Sequence, residues 1–165
     1  MRSGGPRVAS YFIAPVVLLS ALSYWQDAAR LAIVDIRAHP WCGAEGRLAS
    51  QDLLGDPPAT LWNAIIGEGD LQCASNATQI VAVVRGVPAK YMAGTRVRLS
   101  ATFETRAGDS TVVTEQQIGV TGAQGQYHVA LWLEGTGCVP VRLRAWEVGD
   151  ERGARAEKLD FHCGE

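Results

Sequence analysis

The chain has 165 residues, of which 47% are apolar, and a formal net charge of −2 at pH 7. This length and composition suit a single globular domain with a core of its own and a short tail. The near-neutral charge gives no electrostatic reason to expect nucleic acid or an anionic membrane surface as a partner.

The N-terminus has a pattern typical of export. Arg2 and Arg7 precede an apolar run from Tyr11 to Leu22. A positive segment followed by about a dozen apolar residues is typical of a secretory signal, and the run is short for a bilayer span, which needs about 20 residues. We therefore expect residues 1–23 to be a signal peptide. One alternative is an uncleaved signal-anchor, with a membrane tether through Tyr11 to Leu22, and another is a buried helix of a cytosolic protein.

Residues 24–78 are expected to form an extension that links this segment to the fold. Alanines at positions 28, 29 and 32 favour helix, so a continuous helix from Tyr11 to about Arg37 is one interpretation. The polar stretch 44–58 ends in Gly55-Asp56-Pro57-Pro58, a strong loop signal. A short apolar patch at 60–66 fits either a helix or a strand.

Six segments after residue 78 are predicted to be β-strands. Their apolar residues recur at every second position, which places one face of each strand in a core and the other in solvent. Turns rich in Gly and Asp separate them, with no helical segment between. The predicted strands are 79–85, 96–103, 110–120, 126–133, 139–148 and 157–163. The predicted fold is all-β: an antiparallel β-sandwich over residues 79–165, preceded by a hydrophobic N-terminal helix.

The clearest part of this pattern runs from Gln126 to Val148, where two strands flank a tight Gly-rich corner. If these strands pair, their outward faces bring two tryptophans close to two arginines. Exposed tryptophan and arginine are common in binding hot spots, and tryptophan also stacks on sugar rings. The alternative is that another part of the chain covers this face and arginine stems pack on the rings. The candidate ligand-binding residues are His128, Trp132, Arg142, Arg144 and Trp146.

The four cysteines agree with export, because disulfides persist in oxidising compartments. Four cysteines allow three pairings. If the last two strands pair with Val141 opposite Phe161, Cys163 lies opposite Val139, which is the residue next to Cys138. That register favours a bridge within the last hairpin and leaves the other two cysteines to pair by elimination. The predicted bridges are Cys138–Cys163 and Cys42–Cys73.

No sequence motif for catalysis or cofactor binding is present: there is no G-x-S-x-G, no P-loop, no H-E-x-x-H and no C-x-x-C. A metal site would have to use His39, Cys42, His162 and Cys163, but exported thiols tend to oxidise. We therefore predict a non-enzymatic protein without cofactor or metal. The rival interpretation is a secreted hydrolytic enzyme whose dispersed site uses His128, Glu104 and Glu134.

Three patterns carry a family resemblance: Tyr91-x-x-Gly94-x-x-Val97-x-Leu99-x-Ala101, Gly125-x-Tyr127-x-Val129 and Val141-x-Leu143-x-Ala145. With them, residues 79–165 resemble the immunoglobulin-like and fibronectin-type-III-like sandwiches of secreted bacterial proteins. The cysteine–tryptophan–cysteine hallmark of antibody domains is not met. Such folds serve adhesion, carbohydrate binding and scaffolding alike.

From these patterns we expect an extracytoplasmic module, periplasmic or secreted. It would bind a protein or glycan partner or have a structural role in the envelope. A membrane-tethered accessory subunit is the alternative.

Overall fold

The computed structural model of the protein describes residues 31–59, 73–136 and 139–161. Within these ranges it has eight β-strands and no helix, so the all-β prediction is confirmed. The strands are β1 (Ala32–Cys42), β2 (Arg47–Leu48), β3 (Ala77–Arg85), β4 (Arg96–Phe103), β5 (Ser110–Gln117), β6 (Gln126–Glu134), β7 (Val141–Glu147) and β8 (Asp150–Leu159).

The strands form two four-stranded sheets in which every pair of neighbouring strands is antiparallel. The first sheet has the order β2-β1-β3-β6 and the second has the order β5-β4-β7-β8. The inner faces of both sheets contribute to one buried apolar cluster. This is the layered arrangement of a β-sandwich, in which two inner faces share one core.

Alternation along β6 shows why these residues form strands around a core. Val129, Leu131 and Leu133 are buried, whereas Ala130 and Trp132 between them are exposed. Each fully buried Val or Leu side chain contributes about 1.5–3 kcal/mol of hydrophobic stabilisation. The largest fully buried side chains are Ile36, Ile80, Val83, Val84, Val97, Leu99, Ile118, Val129, Leu133, Val141, Leu143 and Leu159.

The sandwich begins at Ala32, not at Gln79 as the sequence predicts. Strand β1 pairs with β3 from Ala32 opposite Arg85 to Pro40 opposite Thr78, so part of the predicted extension belongs to the first sheet. From Ile36 onwards every second residue of β1 is buried. The alanines favour helix locally, but burial of one face against β3 and the core decides the strand. The predicted signal or anchor lies outside the described residues.

The two strands of the 126–148 stretch do not pair with each other. Strand β6 pairs with β3, and β7 lies between β4 and β8 in the other sheet. The connection after Glu134 therefore crosses from one sheet to the other, and Gly135 takes a positive φ of 68° at its start. The pairing that would bring Trp132 beside Trp146 and the arginines is therefore not formed, because alternation identifies the buried face of a strand and not its neighbours.

The register of the last hairpin also differs from the prediction. Val141 lies opposite Leu159 rather than Phe161, and β8 begins at Asp150 rather than near Glu157. Glu147 pairs with Asp150, which leaves Val148 and Gly149 as a two-residue turn. Gly149 has a φ of 98°, a conformation that tight hairpin turns require and that glycine adopts without strain.

A disulfide joins Cys42, at the end of β1, to Cys73, and their Cα atoms lie 5.6 Å apart. This distance is normal for a disulfide, and it confirms the predicted Cys42–Cys73 pairing. The predicted Cys138–Cys163 bridge lies outside the described residues. No helix in the described ranges has both the length and the apolar character needed to cross a membrane.

Candidate functional site

The outer face of the second sheet carries most of the predicted binding residues in aligned rows. Opposed residues in antiparallel strands point to the same face, so the register sets which side chains are neighbours. Trp146 lies opposite Arg98, and Arg144 lies between Ser100 and Ala156. In the next row, Arg142 lies between Thr102 and Lys158.

Trp146 is half-buried under two arginine side chains. The guanidinium carbon of Arg144 lies 4.9 Å from the centroid of the indole ring, and that of Arg98 lies 5.6 Å from it. Both distances suit cation–π attraction, in which the negative face of the ring stabilises the cation. The indole and the two guanidinium groups therefore hold one another in fixed positions on the sheet.

Carboxylates at the margins of this face neutralise its arginines. Arg144 donates to Glu151 at 2.6 Å, and Arg142 contacts Glu104 at 2.8 Å and Asp109 at 2.6 Å. These side chains are 33–61% exposed, so each ion pair contributes only about 0–1 kcal/mol. The arginines are oriented by partners that another carboxylate could replace at small cost.

Two ionisable groups near this face have shifted pKa values. The hydrogen bond from Arg98 lowers the pKa of Glu115, and the charges of Arg96 and Arg98 add to that effect. The hydrogen bond that Lys158 donates to Asp160 raises the pKa of the lysine. Both shifts favour the charged forms, so these ion pairs persist across the neutral range.

Between these side chains lies an open groove of about 660 Å³, which we call the β7 groove. The small residues Ser100, Thr102 and Ala156 leave room there, while Arg142, Arg144 and Trp146 supply its charged and aromatic contacts. Its lining residues are Ser100, Thr102, Arg142, Leu143, Arg144, Trp146, Ala156, Glu157 and Lys158. Its volume lies in the range of ligand sites.

The other two predicted binding residues, His128 and Trp132, lie on β6 in the first sheet. Trp132 is 42% exposed and packs against Trp41 in an edge-to-face arrangement, with ring centroids 5.6 Å apart and planes at 68°. His128 is exposed on the same strand face, about 13 Å away along the strand. The structure therefore brings Arg142, Arg144 and Trp146 together and places Trp132 and His128 on the other sheet.

The residues of the rival hydrolytic site are not brought together. His128 and Glu134 both lie on β6, six residues and therefore about 20 Å apart. Glu104 follows β4 in the other sheet and contacts Arg142. Proton transfer within such a site needs groups within hydrogen-bond reach, which this arrangement does not provide.

The structure also separates the residues considered for a metal. Cys42 is bonded to Cys73, and the Nδ1 atom of His39 donates to the carbonyl oxygen of Gln51 at 2.9 Å. The positions of His162 and Cys163 lie outside the described residues. Across the described ranges, no three His, Cys, Asp or Glu side chains are grouped to hold a metal ion.

Comparison of the chain with protein-family models, with curated proteins and with solved structures finds no match. The groove itself is therefore the basis for a functional proposal.

The sequence analysis did not identify Arg98 and Ser100, which lie beside the β7 groove residues Trp146 and Arg144, or Trp41, which packs against Trp132 on the other sheet. The alternation of β4 places Arg98 and Ser100 on its polar face, but their position beside Trp146 and Arg144 depends on a long-range register. Trp41 belongs to the predicted extension over residues 24–78. The signal that could have found it is the run Ile36, Ala38, Pro40 and Cys42, which alternates as a strand does.

Proposed function

We propose that the protein is a non-enzymatic, extracytoplasmic binding module with an immunoglobulin-like fold, and that the β7 groove binds an acidic segment of a partner protein. The observation that carries this proposal is the placement of Arg142, Arg144 and Trp146 along one open groove. Arginine and tryptophan dominate binding hot spots because they combine large contact area with directional hydrogen bonds.

The strand order supports the fold assignment. Immunoglobulin-like sandwiches build one sheet on strands A, B and E and the other on strands C, F and G, and some add C′ beside C. Here β1, β3 and β6 correspond to A, B and E, whereas β4, β7 and β8 correspond to C, F and G. Strand β5 then occupies the position of C′, next to β4.

The Cys42–Cys73 disulfide supports a location outside the cytoplasm, because reducing agents keep most cytosolic thiols free. This agrees with the signal or anchor expected in residues 1–23.

The guanidinium groups of the groove, rather than its overall charge, suit a carboxylate-bearing partner. A guanidinium group can bind a carboxylate through two parallel hydrogen bonds, whereas Arg144 donates a single one to the exposed Glu151. Exchange of Glu151 for a carboxylate of the partner costs little, since exposed ion pairs are weak. The aromatic edge of Trp146 adds apolar contact area beside the charges.

A direct binding experiment tests this proposal. A fluorescent peptide of alternating Glu and Ser is titrated with the purified protein, alongside oligogalacturonate as an acidic glycan and a neutral hexose oligomer. We expect the peptide to bind saturably and more weakly as salt rises. The double substitution Arg142→Ala and Arg144→Ala should weaken binding about tenfold, since it removes two exposed ion pairs of up to about 1 kcal/mol each.

Arg152→Ala is the matched control, because Arg152 is 82% exposed, pairs with Asp150 and does not line the groove. It removes one positive charge and should leave binding almost unchanged. Binding of oligogalacturonate alone would replace the protein partner with an acidic glycan. If neither the acidic peptide nor oligogalacturonate binds, the groove is not a carboxylate site.

A further inference from the structure

Strand β5 forms one end of the second sheet and is exposed over most of its length. Val112 is 40% exposed and Val113 is 51% exposed, although both are large β-branched residues. Among the described residues, the pairings of β5 involve β4 alone, so the opposite edge of the strand presents backbone N–H and C=O groups without a strand partner. Such an edge is a template for another strand.

Natural proteins often protect an edge of this kind with a bulge, a lysine or a proline, and β5 itself has none of these. The pairing of β5 with β4 runs without a bulge from Arg96 opposite Gln117 to Phe103 opposite Ser110. The sequence of β5, STVVTEQQ, contains no lysine and no proline. Its one charged residue, Glu115, stays ionised and pairs with Arg96 and Arg98 of the neighbouring strand β4.

We propose that β5 pairs with the β5 strand of a second copy of this chain, antiparallel across a two-fold axis, to give one continuous eight-stranded sheet. A two-fold contact uses the same surface twice, so it needs a strand that is compatible with itself. The β7 groove lies on β4, β7 and β8, so this inference does not depend on the proposed function.

Charge selects the register of this pairing. With Val113 on the axis, the two Val113 side chains face each other and Glu115 lies opposite Thr111 of the second copy. The two Glu115 carboxylates are then about 13 Å apart. The neighbouring register centred on Val112 sets Glu115 opposite Asp109, and the one centred on Thr114 brings the two glutamates within about 8 Å. Both of these alternative registers are disfavoured, because each places like charges directly opposite or diagonal to each other.

The first test is the mass of the full chain in solution, measured by sedimentation velocity over a concentration series. We expect wild-type protein to form a dimer, and Val113→Lys to shift it to monomer because two ammonium groups would meet at the axis. Val120→Lys is the matched control: Val120 is 61% exposed but lies outside β5. Thermal unfolding of each variant verifies that the fold is retained.

The second test determines the register in which the two β5 strands pair. Thr111→Lys should tighten the dimer several-fold because the lysine meets Glu115 of the other copy, and Thr111→Glu should weaken it several-fold. Wild-type protein that stays monomeric at roughly 1 mM, where even weak pairs associate, would overturn the proposal. So would a dimer that tolerates Val113→Lys, or one that responds equally to both Thr111 substitutions.

Discussion

The hydroxyl oxygens of Thr78 and Thr136 lie 2.9 Å apart and form a hydrogen bond in the interior of the protein. Both residues are almost fully buried, at 2% and 1% exposure. Thr78 lies on β3, and Thr136 follows β6, so the bond ties the crossing between the sheets to the first sheet. A second link runs from the Thr136 amide to the carbonyl oxygen of Asn76 at 3.1 Å.

This pair predicts a non-additive effect of substitution on stability. Thr78→Val alone should cost about 1–3 kcal/mol because it leaves the buried Thr136 hydroxyl without this partner. The double substitution Thr78→Val and Thr136→Val should cost less than the sum of the two single changes. Urea unfolding of the four proteins gives the coupling energy. Additive losses would show that the hydroxyl–hydroxyl bond contributes nothing beyond two independent side chains.

Glu115 is predicted to titrate below the ordinary range of a glutamate. Its hydrogen bond from Arg98 lowers the pKa of the folded state relative to the unfolded chain. Because the pKa is lowered on folding, the ionised carboxylate stabilises the fold at pH values above the pKa of the unfolded chain. This contribution is lost as the pH falls through the pKa of the folded protein. Carboxyl carbon NMR should therefore show a low midpoint in wild-type protein and a higher one in Arg98→Ala. An unchanged midpoint in Arg98→Ala would contradict the assigned cause.

Removal of the Cys42–Cys73 disulfide should lower the free energy of unfolding. The bridge closes a separation of 31 residues, for which the chain-entropy relation gives about 3–4 kcal/mol. The double substitution Cys42→Ala and Cys73→Ala, compared with wild type by urea unfolding, measures this loss. A change below about 1 kcal/mol would mean that the unfolded chain is not constrained by the bridge.

Gly125 is predicted to resist substitution. It has a φ of 73°, and an added Cβ would overlap the carbonyl oxygen of Gly86. Gly125→Ala should therefore cost about 1–3 kcal/mol from the backbone conformation alone, with the steric overlap in addition. Gly153→Ala is a suitable control, because nothing lies within 4 Å of the position of its Cβ. Thermal unfolding should separate the two variants by several degrees, and equal midpoints would refute the steric argument.

The inner faces of the strands could be predicted because burial imposes a period of two on the sequence. The alternation of Val129, Leu131 and Leu133 places β6 against the core with no knowledge of the rest of the chain. The same alternation carries no information about strand neighbours. It therefore did not reveal that β6 joins β3 while β7 joins β4, or that Val141 lies opposite Leu159.

The candidate site was predictable to the same extent. Arg142, Arg144 and Trp146 alternate with buried residues of β7, so their shared outer face follows from the sequence. Their contact with Arg98 follows only from the register of β4 against β7, a relationship between residues far apart in the chain. Trp132 was grouped with them because it is near in sequence, and the crossing after Glu134 separates them.

The disulfide at Cys42 has a mechanical consequence for the first strand. A pulling force on the chain at Ala32 would break the hydrogen bonds between β1 and β3 one after another, starting from the pair of Ala32 and Arg85. This peeling would end at Cys42, because the covalent bond to Cys73 lies at the far end of the strand. Under tension, the chain could therefore lengthen only by the part of β1 that peels from β3. The force would then act on the Cys42–Cys73 disulfide, a covalent bond that does not break under forces that separate hydrogen-bonded strands.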